Sequence, residues 1–110
     1  MEMNSALAAF AALGQQTRLD VFRLLIRTGS DGMAAGEIGD ALGVRRNTLS
    51  ANLSVLLNAG LVRNERQGRS IRYFADMDGL RGLLVFLLED CCAGRPELCQ
   101  PLVDEIADAC

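Results

Sequence analysis

Apolar positions recur with helical spacing along most of the chain, and glycines interrupt the rhythm. Residues 5–13, rich in Ala, Leu and Phe, predict a short first helix ended by Gly14. Thr17 can cap a second helix that runs through Arg27, with Leu19, Phe22, Leu25 and Ile26 on one face. Gly29, Ser30, Asp31 and Gly32 mark a loop. Residues 35–42 predict a third helix with Ile38 and Leu42 on one side, and Gly43 stops it. A fourth runs from about Arg46 to Ala59, with Gly60 as its C-terminal cap. Leu49, Leu53, Leu56 and Leu57 share one of its faces; Asn47, Ser50, Ala51, Ser54 and Asn58 occupy the other.

The pattern then changes. Residues 61–66 and 71–75 mix β-formers with arginine, and Gln67-Gly68-Arg69-Ser70 joins them, which predicts an antiparallel hairpin. Asp78 can cap a fifth helix that continues to about Cys92, and Gly94 and Pro96 break it. A last short helix spans 101–109, carrying Leu102, Val103 and Ile106. The expected fold is mainly α with a small β-hairpin: four helices, two strands, two helices. That is the order of a winged helix-turn-helix. The fourth helix would dock by its leucines and present a slim face to a major groove about 12 Å wide.

Length makes this one domain, residues 1–110, with a C-terminal thiol-bearing segment from about 89. The longest unbroken apolar run, 83–88, is too short to cross a bilayer, so no membrane partner is expected. That run is apolar on every side of its helix, more than so small a domain can cover by itself. A second copy of the chain is the economical cover. The expected dimer surface is Leu80, Leu83, Leu84, Leu87 and Leu88, with Ala6, Phe10 and Leu13 from the first helix. The apolar start lacks the basic residues of a secretory signal, and the cysteines are crowded rather than spread as staples; both predict a cytoplasmic protein with reduced thiols.

Charge sharpens the picture. The net charge of −3 hides its distribution, and every basic residue is arginine. Within 45–75, Arg45, Arg46, Arg63, Arg66, Arg69 and Arg72 face Glu65 alone, while the flanking blocks are acidic. A basic block inside an acidic chain predicts a local anionic partner, here double-stranded DNA. Asn47, Ser50 and Ser54 can reach base edges or phosphates. Arg45 and Arg46 stand where a helix N-terminus favours phosphate, and Arg66 and Arg69 flank the hairpin tip. A winged helix that binds protein instead of DNA is the alternative on these residues.

Four stretches together carry a family resemblance: Gln16 to Leu25 (QTRLDVFRLL), Ala41 to Val44 (ALGV), Asn47 to Val62 (NTLSANLSVLLNAGLV) and Arg66 to Phe74 (RQGRSIRYF). The chain resembles the ArsR/SmtB metal-responsive repressors over roughly residues 5–90. The resemblance implies a homodimer joined by the first and fifth helices, and repression released by an inducer rather than an enzyme activity. It places Asn47, Thr48, Ser50, Ala51 and Ser54 on the recognition helix; with Arg45, Arg46, Arg66 and Arg69 from the charge pattern and Gln67 at the hairpin tip, these are the expected DNA contacts. Family members often start that helix with Ser, where Arg45 stands here, and often carry His in place of Ala51 and Asn52. Base preference therefore does not transfer.

Cysteine placement suggests the inducer. The arsenic and cadmium type of this family has Cys-x-Cys in the third helix, where residues 35–40 hold none; the zinc and nickel type uses His, and the chain has no His. There remain Cys91, Cys92 and Cys99, plus the terminal Cys110. Seven residues span at most about 24 Å, so Cys99 can fold back to the other two. Three thiols without nitrogen ligands suit a soft centre. Arsenous acid is neutral, and its tris-thiolate adduct is neutral too, whereas Zn²⁺ on three or four thiolates leaves negative charge beside Glu89, Asp90 and Glu97. The expected ligand is As(III), with Sb(III) as a chemical equivalent and no organic cofactor. The alternatives are a thiol redox or persulfide sensor on the same fold, and a Zn-stabilised protein-interaction module.

Overall fold

The computed structural model describes residues 1–89 and 94–110. Among these residues six α-helices and three strands follow the predicted order, with one strand, β1, added before the third helix: α1 (Met3–Leu13), α2 (Gln16–Thr28), β1 (Met33–Ala34), α3 (Ala35–Leu42), α4 (Arg46–Asn58), β2 (Val62–Gln67), β3 (Ser70–Ala75), α5 (Met77–Leu88) and α6 (Pro96–Ala109). A 3₁₀ turn, Gly29–Asp31, links α2 to β1.

The core sits where α1, α2, α3, α4 and the base of the hairpin meet. Val21, Phe22 and Leu25 of α2, Ile38 of α3, and Leu49, Leu53 and Leu56 of α4 are buried together with Leu61 and Val62. Burying each large side chain contributes roughly 1.5–3 kcal/mol. α1 joins through small residues, Ala6, Ala9 and Ala12, which let its backbone lie close to the core.

Several boundaries correct the sequence expectations. The N-cap of α2 is Gln15, whose side chain accepts from the Arg18 amide, so Thr17 lies inside the helix. Its buried face is formed by Val21, Phe22 and Leu25, while Leu19 is 41% exposed. Asp76, not Asp78, caps α5 by accepting from the Gly79 amide. Asp78 pairs instead with Arg81 one turn on. Ala59 takes the C-cap position of α4, and Gly60 follows it with a positive φ. Pro96 starts α6 rather than ending α5. Pro101 lies inside α6, where it removes the amide that would bond the Glu97 carbonyl. The fifth helix, expected to run to about Cys92, ends at Leu88, where Glu89 leaves helical geometry as its C-cap; residues 90–92 of the predicted extension lie outside the described residues.

The sheet holds one strand more than the predicted hairpin. Its order is β1-β3-β2, all antiparallel, with Val62 opposite Ala75 and Gln67 opposite Ser70, closed by the two-residue turn Gly68-Arg69. β1 adds only Met33 opposite Tyr73 and Ala34 opposite Arg72, too short for any alternation to be read from sequence. Only Val62 of β2 is buried, so the hairpin projects from the body as a wing.

One close approach fixes where α5 begins. A Cβ at Gly79 would overlap the Gly60 carbonyl oxygen, so the start of α5 rests directly on the turn after α4. Replacing Gly79 by Ala should lower the unfolding free energy by about 1–3 kcal/mol, measured by urea denaturation. Unchanged stability would mean that this junction is looser than described.

Candidate nucleic-acid interface

α3 and α4 form the helix-turn-helix. Gly43 adopts a left-handed conformation (φ 66°) that ends α3, and the Val44 amide bonds the Gly39 carbonyl to set the turn. α4 then presents two different faces. Leu49, Leu53 and Leu56 are buried, whereas Arg46, Asn47, Thr48, Ser50, Ala51 and Ser54 are all exposed. The sequence division into a leucine face and a slim outer face therefore holds at every one of these positions.

The start of α4 suits an anion. Its N-cap, Arg45, gives no side-chain capping bond. Asn47 Oδ1 accepts from the Thr48 amide, and no side chain among the described residues caps the two amides before it. Uncapped amides at the positive end of a helix, flanked by the exposed guanidinium groups of Arg45 and Arg46, favour a phosphate.

The six arginines of the basic block divide into two groups. Arg72 is used inside the protein: its Nε and Nη2 donate to the carbonyls of Asp31 (3.1 Å) and Gly32 (2.9 Å), and its Nη1 lies 3.4 Å from Glu37. Glu37 in turn accepts from the Ala34 amide. This chain of contacts ties the wing to α3 through β1. Gly32 has to be glycine there, since it has φ 62° and a Cβ would stand 2.6 Å from the Phe74 ring. Arg63 lies 4.3 Å above that ring and pairs with Glu65. Arg45, Arg46, Arg66 and Arg69 are exposed and form no ion pair among the described residues. With exposed Gln67, they place uncommitted positive charge at the two ends of the candidate surface, the helix start and the wing tip.

Sequence reasoning missed Arg18 and Asn52. The Arg18 side chain donates to the carbonyls of Ala12 (2.7 Å) and Ala11 (3.4 Å) at the end of α1, and to Asn52 Oδ1 (3.2 Å) on α4. Asn52 Nδ2 donates to the Thr48 carbonyl (3.1 Å). The available signal was Asn52 itself, a polar residue three positions after Leu49 and directly before Leu53, on the face that docks.

The other predicted sites are only partly described. Cys91 and Cys92 lie outside the described residues. Cys99, half-buried in α6, is disulfide-bonded, where the sequence predicts reduced thiols; its sulfur is thus within bonding reach of a second one. Cys110 is exposed and free. On the expected dimer surface, Ala6 and Leu83 are buried in the protomer's own core, and Leu13, Leu80 and Leu88 are half-buried. Phe10, Leu84 and Leu87 are exposed. No helix among the described residues is long and apolar enough to cross a membrane.

A recognition-type helix with a bare outer face, beside a wing tipped with free arginines, defines a winged helix-turn-helix protein of the DNA-binding class. Comparison with known proteins agrees. Residues 13–65 match a helix-turn-helix domain family. The uncharacterized HTH-type transcriptional regulator YbzH of Bacillus subtilis (strain 168) is 30% identical over 90 residues, covering 71% of this chain and 90% of YbzH. An ArsR-like transcriptional regulator from Rhodococcus sp. RHA1 superposes with a TM-score of 0.71 at 28% identity, over 94% of this chain and 93% of that one. The homodimeric winged helix-turn-helix DNA-binding domain of Mb0332 from Mycobacterium bovis, a possible ArsR-family regulator, gives 0.66 at 31% identity, over 80% and 81%. The chain belongs to the ArsR-type winged helix-turn-helix transcriptional regulators.

The division of the arginines yields a salt test. Arg69→Ala should weaken binding to every duplex alike and flatten the slope of log affinity against log salt by about 0.9 for each protomer bound. Arg63→Ala, which removes an arginine engaged within the wing, should leave that slope within error. Equal slopes for Arg69→Ala and wild type would take the wing tip off the DNA.

Proposed function

We propose that this regulator is an arsenite-responsive repressor: a homodimer that holds operator DNA through α4 and the wing, and releases it when As(III) or Sb(III) binds Cys91, Cys92 and Cys99. The DNA half rests on the four uncommitted arginines beside the exposed face of α4. Two such units in a symmetric dimer fit an inverted repeat with half-sites about one helical turn apart. The dimer half draws on the exposed Phe10, Leu84 and Leu87, and on the homodimeric state of the Mycobacterium bovis relative. Leu87 is 55% exposed in the protomer, so a charge there burdens association far more than folding. Leu87→Asp should weaken dimerisation at least about tenfold by sedimentation equilibrium. A dimer as tight as wild type would remove α5 from the interface.

The inducer half rests on thiol chemistry. Three cysteines within nine residues, in a chain without histidine, can exchange the three hydroxyls of arsenous acid for three sulfurs. Once a reducing thiol has opened the Cys99 disulfide, three S–H and three As–O bonds break, three As–S bonds form, the thiol protons leave with the hydroxyls as three waters, and the adduct is neutral. Release requires that As(III) bind the free conformation better than the DNA-bound one. A coupling of about 1–3 kcal/mol lowers operator affinity by roughly 5–150-fold. Arsenite titrated into the protein–DNA complex under reducing conditions tests this. Cys91→Ser, Cys92→Ser and Cys99→Ser should each need more arsenite than wild type, with uninduced affinity retained, while Cys110→Ser responds as wild type. Release of Cys99→Ser at the wild-type arsenite concentration would leave a two-thiol site on Cys91 and Cys92.

A second reading is favoured by one observation, the disulfide at Cys99. On that reading oxidation itself lowers operator affinity. A mild oxidant without arsenite would then release DNA, and a dithiol would restore binding.

A further inference from the structure

The contact between Arg18 and Asn52 joins three helices at one point. Arg18 stands in the first turn of α2, its Nε and Nη2 donate to two carbonyls in the last turn of α1, and its Nη1 donates to the α4 side chain of Asn52. The last carbonyls of a helix lack partners within it, and a cation there is favoured by the helix dipole. Arg18 therefore finishes α1. The same planar group cannot shift for α4 without giving up α1, because its donors are fixed in one fork. Asn52 is 9% exposed, and both polar atoms of its amide are bonded: Oδ1 takes the guanidinium, and Nδ2 holds the Thr48 carbonyl one turn back. The leucines around it resist separation of α4 from the core, but apolar contact is non-directional and tolerates a small slide or roll. A hydrogen bond to a charged group supplies the direction that the leucines lack.

We propose that Asn52 is a positioning residue for sequence-specific DNA binding, held by Arg18, and that this joint fixes the setting of the recognition helix against the end of α1. The proposal rests on the operator-binding reading above and goes beyond it. Asn52 lies on the buried side of α4, opposite Ser50 and Ser54, and acts through the aim of those residues rather than by touching a base. Since α1 also carries part of the exposed apolar surface, through Phe10, a change in how α1 sits would reach α4 through Arg18.

Two variants separate the joint from general packing. Asn52→Asp keeps an acceptor for Arg18 but loses the bond to Thr48. Asn52→Ala loses both. The probe is the best duplex that wild type selects from a randomised pool, with a scrambled duplex as reference. Asn52→Ala should lose about tenfold of the preference for the selected duplex, the cost of one charged hydrogen bond. Asn52→Asp should retain most of that preference. Adding Arg18→Met to Asn52→Ala should cost less preference than the two single losses combined. In the DNA-free protein, Asn52→Ala should speed amide hydrogen exchange in α4 and in the last turn of α1. Wild-type preference in Asn52→Ala overturns the proposal, as does an Asn52→Asp protein that fails as badly as Asn52→Ala. Unchanged exchange in both helices also overturns it, and that readout needs no DNA. If wild type selects no duplex, the operator reading fails first, a result the exchange measurement keeps apart from failure of the joint.

Discussion

One helix has to be two things at once, and the rest of the fold serves that constraint. α4 must be apolar enough to stay in the core and bare enough to enter a groove. Leu49, Leu53 and Leu56 meet the first demand by sharing one cluster with Val21, Phe22 and Leu25 of α2. The second is met by small side chains, since Ser50, Ala51 and Ser54 add little to the radius of the helix. Replacing a buried leucine such as Leu56 by alanine would cost about 2–5 kcal/mol. The docking face thus has little freedom to vary, whereas the outer face is free to carry specificity.

The wing obeys a similar division. At its base Arg72 grips the backbone of the Gly29–Gly32 bend and reaches Glu37, while Arg63 covers Phe74. At its tip Arg66 and Arg69 form no ion pair among the described residues. Net charge along the sequence counts all of these alike. The structure shows that part of the basic block holds the wing in place, and that the remainder is available for an anionic partner.

Legibility followed the range of the interactions. Helix order, the hairpin and the outer face of α4 came from local periodicity and from glycines with defined conformations, Gly43 and Gly68 among them. β1 was not legible, because two residues carry no pattern and its pairing depends on Arg72, nearly forty positions away. The caps Gln15 and Asp76 each lie two residues before the residue expected from sequence, since several polar side chains compete near each helix start. Arg18 and Asn52 are 34 positions apart, and no spacing rule connects them. Hydrophobicity along the fifth helix cannot separate Leu83, buried in the protomer's own core, from Leu87, left outside. Of the predicted sensor cysteines only Cys99 is described, and it is in a disulfide rather than reduced.

The central claim is that DNA meets this protein through α4 and the wing tip. The most direct measurement is backbone NMR of the labelled protein titrated with a selected duplex. The account predicts that shifts concentrate at residues 45–54 and 66–69, with α6 little changed. Shifts centred on α6 or the outer face of α5, with α4 silent, would contradict it.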